Sequence, residues 1–293
     1  MWVIALVINL LLFVTSTLLR RRFAQSHTVP ASVTLALSYV LGVMPLSLIA
    51  GVIAPHDIIW SYWTMWLLLS ASLFVAAFIW LSFIAIRYLP AALNQTIFQT
   101  RIPITILLGW LFLGEGLSIN QLIGAACILM SGIVAVWAPA KAHRQGRSTH
   151  KHLVKGVLFT LASAIFLGIG VVVEKAAIQY MDIGAFFIFG FGLQSLWLIL
   201  FAFWDWRKHP GIQLSRQLLR ESALLGIVVA GIGVSYFIAL QGANNISLIA
   251  ALSAVVLPLT AVAAHFVLHE RDDDKLLWVA IGLAVIGVII TAL

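Results

Sequence analysis

Charge is the scarcest commodity in this chain. Only 9% of its 293 residues are Asp, Glu, Lys or Arg, where a water-soluble globular domain carries roughly a quarter. There is a single cysteine, Cys127, set in an apolar run, which excludes a disulfide framework and a cysteine-based metal site. Gly-x-Ser-x-Gly, His-Glu-x-x-His and a phosphate-binding loop are all missing, as is any cluster of carboxylates within an apolar run. Hydrolytic catalysis and nucleotide-driven work therefore have no visible machinery, and the chain reads as something other than an enzyme. The net charge of +7 forms no basic stripe. Its Lys and Arg residues sit in short gaps between apolar runs, which argues against a nucleic-acid partner. The first apolar stretch has no basic region before it and Arg20-Arg21-Arg22 after it, so it is expected to remain as a membrane span rather than to be cleaved as a signal.

Hydrophobic residues supply 62% of the chain, and the mean hydropathy is +1.09. Such a chain is solvated by lipid, and its backbone must satisfy its hydrogen bonds within helices. At about 20 residues per crossing, ten spans are expected, at roughly 2–19, 31–54, 62–86, 91–113, 117–137, 153–176, 183–205, 222–241, 246–268 and 276–293. A polar stretch, 139–152, separates five spans from five. Fifteen of the seventeen Lys and Arg residues follow odd-numbered spans, which predicts cytoplasmic odd loops and external termini. Trp60, Trp63 and Trp66 would then mark the external interface.

The two halves share residues. Pro103, Thr105, Glu115 and Gly132 recur as Pro258, Thr260, Glu270 and Gly287, each 155 positions later. An odd number of spans per half inverts the second copy in the membrane. The expected fold is thus all-α and integral to the membrane, with ten transmembrane helices as two inverted five-helix repeats. These occupy residues 1–138 and 153–293, with 139–152 as a cytoplasmic linker.

Ionisable groups inside spans are costly and usually functional. Arg101 falls about 15 Å into the fourth span, near mid-membrane. Pro103 should kink the helix beside it and free the carbonyl near residue 99. Asn94 and Arg101 share one stripe at 100° per residue, and Gln95 and Gln99 share the next. A guanidinium suits a carboxylate, so these four are the expected substrate-binding residues. The alternative is that Arg101 braces helices through the freed carbonyls and that the amides act as helix glue. Asn9 and Tyr236 are second candidates for the cavity. Glu174 ends the sixth span near the external interface; it is the candidate coupling group, with a solvated span end as the alternative. In the later half Ala250, Ala254 and Val256 replace Gln95, Gln99 and Arg101, while Pro258 repeats the kink. The cavity should then be polar on one wall and apolar on the other, suiting an amino acid with an apolar side chain. His265 and His269 are spaced for a metal but lack further ligands, so no metal or cofactor is expected. Trp80 reads as packing. Gly124, Gly132, Gly282 and Gly287 allow the fifth and tenth spans to pack closely, against each other or against a second copy in a homodimer.

The Pro in spans four and nine, the Leu113-Gly114-Glu115 and Leu268-His269-Glu270 that close them, and the glycine-rich spans that follow resemble the drug/metabolite transporter superfamily. Within it, the pattern resembles the ten-span EamA-type permeases over the whole chain. That resemblance implies a secondary transporter, in the main an exporter of amino acids and other small metabolites, in the inner membrane of a bacterium. Multidrug efflux, a lipid-linked sugar flippase and a membrane protein without transport activity are the alternatives. The four-span relatives that expel lipophilic cations carry an acid in their first span; here that span has Asn9 and no acid. His269 in place of Gly114, and the run Asp272-Asp273-Asp274, depart from the repeat.

Overall fold

A computed structural model describes residues 2–26, 29–114, 116–142, 150–208, 214–242, 253, 255–267 and 275–292. Among them the chain is helical, with one isolated bridge between Ile58 and Met181. The helices are α1 (Trp2–Ser26), α2 (Ala31–Ser38), α3 (Met44–Ile53), α4 (Tyr62–Tyr88), α5 (Ala91–Phe98), α6 (Arg101–Leu113), α7 (Ile119–Ala142), α8 (His150–Ala177), α9 (Ile183–Lys208), α10 (Arg216–Gly242), α11 (Val256–Val267) and α12 (Lys275–Ala292). Among the described residues, seven segments are long and apolar enough to cross a membrane: Trp2–Ala24, Ala31–Ile53, Tyr62–Tyr88, Ala91–Leu113, His152–Ala177, Ile183–Lys208 and Arg216–Ala239. Ile119–Ala135 and Trp278–Thr291 are shorter apolar helices. The expected ninth span is described from Val255 onward, and Glu115, His269, Glu270 and the three following aspartates lie outside the described residues.

Local chemistry sets the helix ends. Ser61 accepts from the Thr64 amide at 3.0 Å and caps α4. Ser118 and Gln121 form a reciprocal box ahead of α7, at 3.0 and 3.1 Å. Gly114 closes α6 with φ of 66°, a left-handed turn that needs no Cβ. Between α2 and α3 the helix widens into a π turn over Tyr39–Val43. Pro45 lacks the amide that would bond to Leu41, and the Met44 amide reaches back to the Tyr39 carbonyl instead. Pro103 acts more abruptly. The fourth span is interrupted at Gln99–Thr100, so that α6 starts at Arg101.

The helices pair lengthwise: α1 on α10, α4 on α8, α2 and α3 on α9, and α7 on α12. Glycines permit two of these contacts. A Cβ on Gly226 of α10 would lie 2.9 Å from the Cα of Gly42, and one on Gly124 would lie 2.4 Å from the carbonyl oxygen of Gly287. Gly124 and Gly287 are therefore used within the chain, between α7 and α12, whereas a Cβ on Gly282 would meet open space. The main core joins α1–α4 to α8–α10 around Leu35, Tyr39, Phe83, Phe186, Leu198 and Leu225. Outward faces are apolar too, with Ile53, Phe112, Ile119 and Phe266 each about two-thirds exposed or more. In water that surface would aggregate; in lipid it is the solvated face.

One end of the bundle is closed by backbone. The strand-like turn before α4 runs against the turn between α8 and α9. The Ile59 amide donates to the Tyr180 carbonyl at 2.9 Å, that of Asp182 to Asp57 at 2.8 Å, and that of Gly184 to Pro55 at 2.8 Å. The Asp57 amide adds a bond to the Asp182 carboxylate at 3.2 Å. Just beneath, Phe186, Phe187, Phe191 and Phe237 form a cluster with ring centroids 4.6 to 6.3 Å apart.

Candidate functional site

Below that aromatic cluster lies a cavity of about 150 Å³. Its walls come from α1, the π turn, α4, α5, the first residue of α6, α8, α9, α10 and the start of α11. Among the described residues α3, α7 and α12 contribute nothing to it.

Arg101, Asn94, Gln95, Asn9, Tyr236 and Glu174 all line this space, but their bonding divides them. Asn9 donates to the Ile232 carbonyl at 2.7 Å and to Ser235 Oγ at 3.3 Å, tying α1 to α10. Asn94 Oδ1 accepts from Thr160 Oγ1 at 2.7 Å, tying α5 to α8. Gln95 Nε2 donates to Thr17 Oγ1 at 3.1 Å, tying α5 to α1, while its Oε1 has no partner among the described residues. These three amides hold helices together at the cavity wall.

Arg101 and Glu174 are different. The Arg101 guanidinium lies 5.2 Å from the Phe98 ring centroid, and its buried Nε has no hydrogen-bond partner among the described residues. Glu174 is only 6% exposed, and among the described residues its carboxylate accepts a long hydrogen bond from Gln194 Nε2 at 3.5 Å. The cavity thus presents a cation and an acid whose bonding capacity is largely unspent among the described residues, where an uncompensated charge is expensive.

Four expectations need correction. Gln99 is 1% exposed and does not line the cavity, although its backbone amide bonds to the Gln95 carbonyl at 3.2 Å and keeps it one helical turn beyond Gln95. The carbonyl of Gln99 is not free for a ligand: the Ile102 amide takes it at 2.9 Å. Glu174, three residues from the end of α8, is buried at the cavity rather than solvated. α1 runs on to Ser26, so the basic triplet is helical instead of following the span. Pro103 and Pro258 each occupy the third position of a helix, α6 and α11 respectively. Val256 lines the cavity from α11, while Ala250 and Ala254 lie outside the described residues, as do the side chain of His265 and all of His269. Trp80 packs on Phe201 with centroids 5.1 Å apart, away from the cavity.

The sequence reading missed Arg20, Tyr39, Gln194 and the phenylalanines. Gln194, a lone amide in the middle of the seventh span, was visible as a signal. Phe78 and Phe98 stack at 5.4 Å on the cavity wall, and nothing in the spacing of seventeen phenylalanines singles them out.

Comparison with known proteins places this geometry. A curated relative described as an uncharacterized transporter, YvbV of Bacillus subtilis (strain 168), is 27% identical over 203 residues, which cover 69% of this chain. The match spans 64% of that relative's own length. A solved crystal structure superposes over 98% of this chain and 95% of its own, with a TM-score of 0.69 and 19% identity, a likeness of fold alone. The model of the EamA-like transporter family matches residues 1–137 and 154–293. With nearly the whole chain matched and seven apolar segments of spanning length, this multi-pass integral membrane protein belongs to the EamA-like transporter family.

Proposed function

We propose that the chain is a secondary transporter that moves small metabolites, amino acids in particular, by alternating access around the central cavity. Its ten spans form two inverted repeats, 1–138 and 153–293, joined by the linker 139–152. The pairing of helices supports this reading. Under such a repeat α1 corresponds to α8 and α4 to α10, and the contact of α1 with α10 then mirrors that of α8 with α4. The matching third-position prolines of α6 and α11 fit the same symmetry.

The observation that carries the substrate class is the pair Arg101 and Glu174 in one buried cavity. A carboxylate would sit on the guanidinium in a charge-assisted, two-point contact, and an ammonium group would meet Glu174. Together they describe the head of an amino acid. Size agrees: 150 Å³ holds on the order of ten water-sized atoms. A lipid-linked sugar is far larger. A lipophilic cation would be repelled by the guanidinium, which disfavours multidrug efflux. The inner membrane of a bacterium, with odd-numbered loops in the cytoplasm, is the location that the charge distribution supports. The chain works as a monomer or as a homodimer.

The test is uptake of labelled amino acids and organic anions into proteoliposomes, with and without a pH gradient, for the wild type and Arg101→Ala. Saturable amino-acid uptake that Arg101→Ala abolishes is the expected result. Transport undiminished in that variant would return Arg101 to a bracing role and refute the assignment.

A further inference from the structure

Arg20 reads in the sequence as part of a cytoplasmic basic flank, yet it lines the cavity. The cause is the length and phase of α1. Asn9, Phe13, Ser16, Thr17 and Arg20 all line the cavity, at the three- and four-residue steps of one helix face. This face extends about 16 Å at 1.5 Å per residue. The other two arginines of the triplet go elsewhere. Arg21 bonds to the Ile86 carbonyl, and Arg22 is exposed.

Arg20 is poorly compensated where it sits. Nη1 donates to Ser82 Oγ at 3.3 Å, a neutral partner, and its buried Nε has no partner among the described residues. Its other polar neighbour, Tyr39, is also neutral and also lines the cavity. Among the described residues, the charges on the wall are therefore two guanidiniums, Arg20 and Arg101, against one carboxyl group, Glu174. Residues 243–252 and 254 are uncharged, so the segment that precedes α11 cannot alter the sum.

A neutral amino acid satisfies Arg101 and Glu174 and leaves the charge of Arg20 stranded in a low-dielectric space. A solute with one ammonium group and two carboxylates satisfies all three. We infer that the cavity is built for an acidic amino acid, whose side-chain carboxylate is taken by Arg20 while its methylene groups rest on the stacked Phe78 and Phe98. This inference rests on the transporter reading above and deepens it. It replaces the apolar side chain expected from the sequence, which did not count Arg20.

The discriminating pair is glutamate and glutamine, which have the same shape and differ by one charge. The full chain is reconstituted in proteoliposomes with labelled glutamate, aspartate, glutamine, leucine and succinate, as wild type, Arg20→Gln and Arg20→Lys. Wild type should prefer glutamate over glutamine by about tenfold or more in kcat/KM, the worth of one charge-assisted hydrogen bond. Arg20→Gln should bring that ratio to near one, and Arg20→Lys should restore most of it. Should Arg20→Gln fail to elute as folded protein, competition in the wild type carries the test: unlabelled aspartate should suppress glutamate uptake and glutamine should not. Arg101-dependent uptake of glutamine or leucine as fast as glutamate overturns this inference and leaves the transporter reading intact. Uptake of no member of the panel overturns the amino-acid reading itself.

Discussion

Replacing Gly184 by Ala should unlock one end of the cavity. A Cβ at this position would lie 2.4 Å from the Pro55 carbonyl oxygen, 2.6 Å from that of Gly51 and 2.8 Å from that of Ala54. Ordinary contact begins at 3.4 Å, so the end of α3 must retreat by about 1 Å, the difference between 3.4 and 2.4. The bond from the Gly184 amide to Pro55, now 2.8 Å, would stretch beyond hydrogen-bonding range. The neighbouring bond from Asp182 to Asp57 would be strained with it. At 0.5–1.5 kcal/mol each, the two losses come to about 2 kcal/mol, or a shift of roughly thirtyfold toward the state open at this end. The assay is thiol labelling of Ile232→Cys, a cavity position on α10, in a Cys127→Ser background. A membrane-impermeant reagent is applied from the face that carries the 54–61 turn. Labelling should accelerate by about the same factor in Gly184→Ala. An unchanged rate in folded protein would refute the view that this backbone latch and the phenylalanines beneath it hold the cavity shut.

Other substitutions separate scaffold from site. Thr160→Val removes the bond to Asn94 from outside the cavity and should lower the melting temperature in detergent by a few degrees, a loss of about 1 kcal/mol, while KM for the transported solute stays within about twofold. Gly226→Ala drives a Cβ to within 2.0 Å of the Ser38 carbonyl oxygen; the backbones of α2 and α10 cannot both stay, and yield of monodisperse protein should collapse. Gly124→Leu separates α7 from α12 and should likewise reduce thermal stability, but whatever folds should keep the solute preference of the wild type, since neither helix lines the cavity. Ser61→Ala removes the α4 cap at a cost of about 1 kcal/mol, measurable as a lower melting temperature without loss of transport.

The parts of the site that were legible in the sequence are those that local rules govern. A proline inside an apolar run locates a break to within a few residues, as Pro103 does for the break at Gln99–Thr100. A charge at mid-span stands out against 62% hydrophobic sequence. The bonding at the break was not legible: Gln99–Thr100 turns with three-residue bonds, Thr100 to Ile97 and Ile102 to Gln99, that use up the carbonyl expected to be free. Arg20 was hidden for another reason: a basic triplet after an apolar run is the ordinary mark of a membrane boundary, and only the continuation of α1 to Ser26 reveals its inward face. Glu174 was placed correctly near a helix end, and it was the burial of that end that the sequence did not show. α8 has 28 residues, about 42 Å, longer than a crossing requires. Glu174 near its end thus meets Gln194, eleven residues into α9.

The interruption at Gln99–Thr100 also has a mechanical side. It divides one crossing into an arm of eight residues and an arm of thirteen, and Arg101 is the first residue of the longer arm. Under the proposed function, a solute held by this guanidinium would pull on α6 while α5 stayed pinned through Asn94 and Gln95. α6 bears on α8 where Gly168 makes room for Ile104, only six residues before Glu174. A force applied at the cation would thereby be delivered to the helix that carries the acid, with α6 as a lever whose fulcrum is the joint.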